Sequence, residues 1–236
     1  MHRQAFAFIA VTVLLGGTAL AVLAVRDGRI DVPERWNPWA PLRLEAPPGV
    51  FTRFRLARLS VDSAACAAFL ETTPLRFASL PDRVTGEGCG FENAVRIDAL
   101  PANVGAPFSL SCRAAASLAL WQHHVLQPAA TEQLGSPVAR VEHFGSYACR
   151  NVYRREGGSR SRHALAEAFD VAGFVLEDGR RIRVQRDWPR DSAESRFLHT
   201  VRDGACRYFD AVFSPDYNAA HRDHLHLDRG PYRLCR

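Results

Sequence analysis

The sequence predicts an α+β fold, a small antiparallel sheet flanked by helices and braced by disulfides. Three observations lead there. Apolar residues recur at helical spacing early and late in the chain, around 60–70, 110–126 and 192–209. Between them lie runs that alternate with a period of two, and one is broken by Asp178-Gly179, a strong hairpin signal. Six cysteines (Cys66, Cys89, Cys112, Cys149, Cys206 and Cys235) are even in number and widely spaced, with no C-x-x-C pair. That pattern suits three disulfides better than a zinc knuckle or a dithiol redox site.

Taken in order, Ala5 to Val25 is an uncharged apolar run of 21 residues between Arg3 and Arg26. As a helix it reaches about 31 Å, close to the roughly 30 Å hydrocarbon core of a bilayer. Residues 1–25 are therefore read as a single-pass inner-membrane anchor, the alternative being a signal segment cleaved after Val22-Leu23-Ala24. Disulfides need an oxidising compartment, so the rest of the chain is expected to face the periplasm. Residues 26–50 hold five prolines with Trp36 and Trp39, the composition of a semi-rigid linker. Residues 51–236 are expected to form the folded domain.

Within that domain Ser60 or Asp62 caps a first helix ending near Leu70. An alanine-rich helix follows from about Leu110 to Leu126, with Ser109 as its cap and Cys112, Leu118 and Trp121 in the core. Val138 to Phe144 reads as a strand, Phe169 to Leu176 and Arg180 to Val184 as a hairpin, and Ser192 to Phe209 as an amphipathic helix. Leu225 to Asp228 is a short last strand. Neighbour pairing, 66–89, 112–149 and 206–235, is the expected disulfide connectivity.

With 47% hydrophobic and 23% charged residues the composition is that of an ordinary globular protein. All 30 basic residues are arginine, and the net charge of +5 is spread along the chain. This mild excess favours anionic partners such as cell-wall polymer or lipid headgroups. No basic run is interleaved with aromatics, so nucleic acid is not an expected partner.

The chemistry concentrates in His221-x-x-His224-x-His226. On a strand, residues two apart share a face, so His224 and His226 project together. Upstream stand His163 and, at the start of the predicted hairpin, Asp170. Two imidazoles and a carboxylate converging from one sheet leave a fourth metal position open, the arrangement of a catalytic zinc site. His123 and His124 are adjacent on a helix and cannot share a face; they read as helix residues, as do His143 and His199 as structural histidines.

Ser161-Arg162-His163-Ala164-Leu165-Ala166-Glu167-Ala168-Phe169-Asp170 resembles the S-x-H-x-x-G-x-A-x-D element of the LAS metallopeptidases. That group includes D-alanyl-D-alanine carboxypeptidases, the penicillin-insensitive murein endopeptidase and the hedgehog signalling domain. The ending from His221 to Asp228 is similar to the endopeptidase's H-x-x-H-x-H. The stretch from about Ser60 to Cys235, with Ser146-Tyr147-Ala148-Cys149-Arg150, the run around Trp188 and Ser214-Pro215-Asp216-Tyr217-Asn218, resembles the bacterial extensin-like C-terminal family. The resemblance implies a LAS/hedgehog-like metallopeptidase core with zinc on His163, Asp170 and His226. It implies that His224, with His221 beside it, acts as general base or transition-state stabiliser, and that Arg150, thirteen residues before His163, grips a substrate carboxylate. Asp228 orients His226, and Ser161 caps the turn before His163. The implied activity is zinc-dependent hydrolysis of an amide bond in peptidoglycan stem peptides; the alternative is a non-catalytic, zinc-stabilised cell-wall-binding module. Two positions depart from the motif: Ala166 stands where it has glycine, and Glu167 where the extensin-like pattern usually has asparagine.

Overall fold

The computed structural model describes residues 2–236. It is a mixed α+β protein with three disulfides, a three-stranded and a six-stranded sheet, and a separate two-stranded hairpin. Helix α1 (His2–Arg26) contains a stretch, Phe6–Arg26, long and apolar enough to cross a membrane. The segment that follows is held against the domain rather than extended from it. Arg55 of α2 (Thr52–Arg58) donates to the carbonyls of Glu34 and Asn37, and the His124 ring bonds the Leu44 carbonyl at 2.7 Å. Leu44, Leu56 and Leu59 belong to the hydrophobic core. Packing thus begins upstream of the expected boundary at Phe51, because Leu44 of the proline-rich segment finds a buried surface, with Leu42 packed partly against it.

Asp62 caps α3 (Ser63–Glu71) by accepting from the Ala65 amide at 2.9 Å. Next comes a sheet that periodicity alone did not suggest: β1 (Arg76–Leu80), β4 (Ala94–Ala99) and β5 (Phe108–Ser111) in the order β1-β4-β5. Strands β2 (Arg83–Gly86) and β3 (Cys89–Phe91) form the separate hairpin. The alanine-rich helix starts later and runs further than expected. It is α4 (Cys112–Trp121), capped by Ser111, the last residue of β5, whose hydroxyl accepts from the Ala114 amide, while Ser109 lies within that strand. A π turn over Gln122–Leu126 carries it into α5 (Gln127–Leu134). Pro128 has no amide to donate, so the regular ladder is interrupted at this point and the turn widens.

The disulfides correct two of the three expected pairs. Cys66 bonds Cys112 and Cys89 bonds Cys149, while Cys206–Cys235 is as expected. The reason is packing: α3 lies on α4, which brings Cys66 to Cys112 and leaves Cys89, at the β2–β3 turn, facing Cys149.

The larger sheet positions the site. Its backbone is β7 (Ala168–Leu176), paired along one edge with β6 (Val138–Gly145) and along the other first with β10 (Leu225–Asp228), then with β8 (Arg181–Arg183). Gly173 makes the β8 approach possible, since a Cβ there would fall 2.3 Å from the Ile182 carbonyl oxygen. Beyond β10 lie β9 (Ala211–Phe213) and the short parallel β11 (Leu234–Cys235). Helix α6 (Val184–Asp187) and the amphipathic α7 (Ala193–Ala205), capped by Ser192, cover the sheet with α4 and α5; Trp121, fully buried, donates to the Val201 carbonyl.

Candidate metal centre

Register places the donors. On β10, Leu225 and Leu227 point into the core, so His226 and Asp228 share the opposite face. His226 stands directly across from Asp170 of β7 and from Phe213 of β9. Cross-strand neighbours on one face are close enough to touch. His226 Nδ1 meets Asp170 Oδ1 at 2.8 Å, and the His226 ring stacks on Phe213.

His163 arrives from a 3-10 turn, Arg162–Leu165, that begins at Ser161, whose hydroxyl accepts from the His163 amide. The turn ends on Ala166, at φ 53° and ψ 30°. This left-handed conformation is the one glycine adopts freely and L-residues resist. The motif's glycine position thus has a backbone reason, and this chain meets it with a buried alanine. Glu167, the other departure, binds both Arg113 and Arg162. It anchors a buried ionic network in which Arg229 pairs with Asp210 and donates to the Tyr208 carbonyl, and Asp210 also holds Arg53 of α2.

His163, Asp170 and His226 are all buried, with one donor atom from each lying within 4.8 Å of the others. Their outer hydrogen bonds fix which ring nitrogens face inward. His163 Nδ1 donates to the Ser146 carbonyl at 2.9 Å, leaving Nε2 toward the centre. His226 Nε2 donates to Asp228 Oδ2 at 3.0 Å, leaving Nδ1 inward. The inward atoms are 3.3 Å apart, and His163 Nε2 is 3.1 Å from Asp170 Oδ2. These separations are near the edge of about 3.3 Å that a tetrahedron with bonds of about 2.0–2.1 Å requires. Two lone pairs and a carboxylate so placed repel one another unless a cation joins them. This donor set fits zinc.

Without a metal, a proton takes the cation's place. Burial opposes a charged His226, but hydrogen bonds to Asp170 and Asp228 and the charges of both outweigh it and raise the group to about 9. Burial likewise opposes the Asp170 carboxylate, and hydrogen bonds from His163 and His226 hold it well below the usual range.

The centre opens into a cleft of about 590 Å³ that Arg150, His221 and His224 also line. His224 sits between two carboxylates: Nδ1 is 2.9 Å from Asp223 Oδ1 and Nε2 is 3.6 Å from Asp170 Oδ1. His221 is buried, its ring 5.2 Å from that of His224, and burial first, then the neighbouring histidines, lower it to about 4. Arg150 makes no ion pair among the described residues, and its charge is felt at His221. All six site positions singled out in the sequence therefore border one cleft. Sequence reasoning missed Phe213 behind His226, the Ser146 carbonyl behind His163, and the Tyr153–Asn218 pair beside His221. Only Ser146 and Asn218 carried a signal, each inside a run that resembles the family, Ser146 to Arg150 and Ser214 to Asn218. A cavity of similar size, about 620 Å³, lies behind the β2–β3 hairpin and contains none of these donors.

His143 and His199 serve packing. His143 bonds the Val104 carbonyl, and His199 lies on Trp188.

The family model described as "Extensin-like protein C-terminus" matches residues 64–236. No curated protein and no solved structure matches the chain.

Proposed function

Because the chain belongs to the extensin-like C-terminus family and folds around this centre, we propose that it is a zinc-dependent hydrolase of amide bonds in peptidoglycan stem peptides. The observation that carries the proposal is the donor triangle itself, with each histidine tied outward by a hydrogen bond and the remaining side open to the cleft. The similarity of the His163–Asp170 and His221–His226 runs to LAS peptidase motifs supports the same reading. Helix α1 serves as inner-membrane anchor or signal segment, and the three disulfides suit a periplasmic domain.

His163, Asp170 and His226 would hold the ion, which when bound supplies a Lewis acid for carbonyl polarisation and water activation. The chain supplies the rest. Arg150 offers a free planar guanidinium to a carboxylate of the peptide, fixing the scissile bond over the centre. His221 and His224 handle the proton that the attacking water loses and the departing amine gains. Phe213 and Tyr217, stacked at 4.4 Å, wall the cleft against bulk water.

The test uses the purified full chain beside an Asp170→Ala/His226→Ala variant. One zinc per chain, lost in the variant, together with peptides released from purified sacculi by the parent alone, is the expected result. Zinc-loaded protein that releases nothing would overturn hydrolysis. That outcome would favour a wall-binding module, a reading supported by the absence of any glutamate from the residues lining the cleft.

A further inference from the structure

Asn218 lies at the start of the 3-10 turn Ala219–His221 and half-buried beside the cleft. Its amide orientation follows from one unambiguous donor. The Ala220 backbone N–H lies 3.0 Å from Oδ1, and only an oxygen accepts there. The other amide atom is therefore Nδ2, which donates to the Tyr153 hydroxyl at 2.9 Å. Oδ1 also lies 2.8 Å from His221 Nδ1. An amide oxygen has no proton to give, so His221 Nδ1 carries one and its Nε2 is left as a lone pair. No protein hydrogen bond is made by that Nε2 among the described residues, and the ring lines the cleft.

The far end of this chain is held by unusual backbone. Tyr153 and Arg154 are consecutive non-glycine residues at φ 53° and 56°. They sit in an excursion closed at its base by Asn151 and Arg160, where Val152 N donates to the Ser159 carbonyl. Left-handed residues in succession persist only where surrounding contacts impose them, and they gather at functional sites. Here the conformation sets the phenol against Asn218, with Arg155 over the Tyr153 ring at 5.5 Å. His224 is held differently, with Nδ1 2.9 Å from Asp223 Oδ1 and Nε2 3.6 Å from Asp170 Oδ1.

We propose that Tyr153 and Asn218 are positioning residues that lock His221 in its Nδ1–H tautomer and present Nε2 to the cleft as the proton acceptor. This rests on the hydrolase reading above for its chemical use. Water attacks the peptide carbonyl, its proton passes to His221 Nε2, and the same proton then leaves on the amine nitrogen as the C–N bond breaks.

The tautomer is measurable without any activity, which separates this proposal from the hydrolase reading. Full-length protein in detergent micelles, labelled with 15N at histidine, is read by long-range 1H–15N correlation, with His221→Gln assigning the signals. The wild type is expected to show protonated Nδ1 and bare Nε2 at His221. Asn218→Ala is expected to shift His221 toward the Nε2–H form, and Tyr153→Phe to shift it partway while deleting only a hydroxyl. Asn218→Asp retains an acceptor and restores the wild-type tautomer. On sacculi, Asn218→Ala should lower kcat by roughly 10²-fold with zinc content unchanged. A wild-type His221 in the Nε2–H form, or one unmoved by Asn218→Ala and Tyr153→Phe, would overturn the assignment even if hydrolysis is real.

Discussion

Replacing Asp228 with asparagine removes one charge and changes no volume, so it isolates what the second carboxylate does for the centre. One oxygen of Asp228 accepts from His226 Nε2 at 3.0 Å and the other from the Gly230 amide at 2.8 Å. Asparagine has only one oxygen and cannot serve both donors. If it keeps the Gly230 bond, its NH2 faces His226 Nε2, the tautomer inverts, and a proton on Nδ1 blocks the ligand position. If it keeps His226, the ring still loses the charge that makes it a better donor. Outer partners of metal-bound histidines are worth about 10–100-fold in affinity, about 1.4–2.8 kcal/mol. Competition with a chromophoric chelator at constant pH measures this directly. Asp228 also lies near Arg113, Arg162 and Arg229, so thermal unfolding in excess chelator supplies the baseline for any structural loss. Zinc affinity within twofold of the parent, in a folded protein, would refute the reasoning.

Four further predictions address the centre and its frame. Because His226 is raised from 6.5 to about 9 in the metal-free protein, its stabilising contribution is whole below 6.5 and is lost as pH rises through 9. Zinc must displace that proton, so apparent zinc affinity should climb about tenfold per pH unit toward 9, while the chelated protein loses stability over the same window; chelator competition and melting curves across pH check both. Ala166→Gly relieves a left-handed alanine, about 1–2 kcal/mol, against about 0.5–1 kcal/mol of added unfolded-chain entropy, so it should raise stability by up to about 1.5 kcal/mol in urea unfolding, with Ala166→Val moving the other way. Glu167→Ala strands two arginines that are largely withdrawn from water and should cost about 3 kcal/mol, whereas changing an exposed glutamate such as Glu132 should cost almost nothing. Replacing Cys206 and Cys235 by serine opens a loop of sequence separation 29 and should cost about 3–4 kcal/mol in denaturant unfolding, equally with and without zinc.

Which parts of this were legible in the sequence follows from the range of the forces involved. Helix α7 and the β7–β8 hairpin are set by local periodicity and by the Asp178-Gly179 turn, and both were readable. Strands β1, β4 and β5 were not, because none shows a clean alternation: β1 is exposed or half-buried throughout, while β4 and β5 bury successive residues. The helix extension to Leu134 was hidden by Pro128, which reads as a stop but is absorbed by the π turn. Cysteine partners depend on helix packing, which spacing does not encode. The donors of the centre were singled out by motif resemblance, yet the tautomers that make them donors are set by the Ser146 carbonyl and Asp228, contacts that appear only with strand register. Ala166 was the converse case, a single letter whose left-handed backbone could be suspected before any coordinate.

The insertion of β10 between β7 and β9 also dictates a sequence of events in time. His163 and Asp170 are near neighbours in the chain, but His226 follows Asp170 by 56 residues, and its strand has no place until β7 and β9 are both available on either side. Such long-range pairing is the slow part of folding. A nascent chain emerging from the ribosome or across a membrane therefore displays two of the three donors early, a combination too weak to retain an ion, and completes the set only once the sheet is closed. On the zinc reading proposed above, the ion would enter last, into a finished fold, and a chain arrested halfway would carry none.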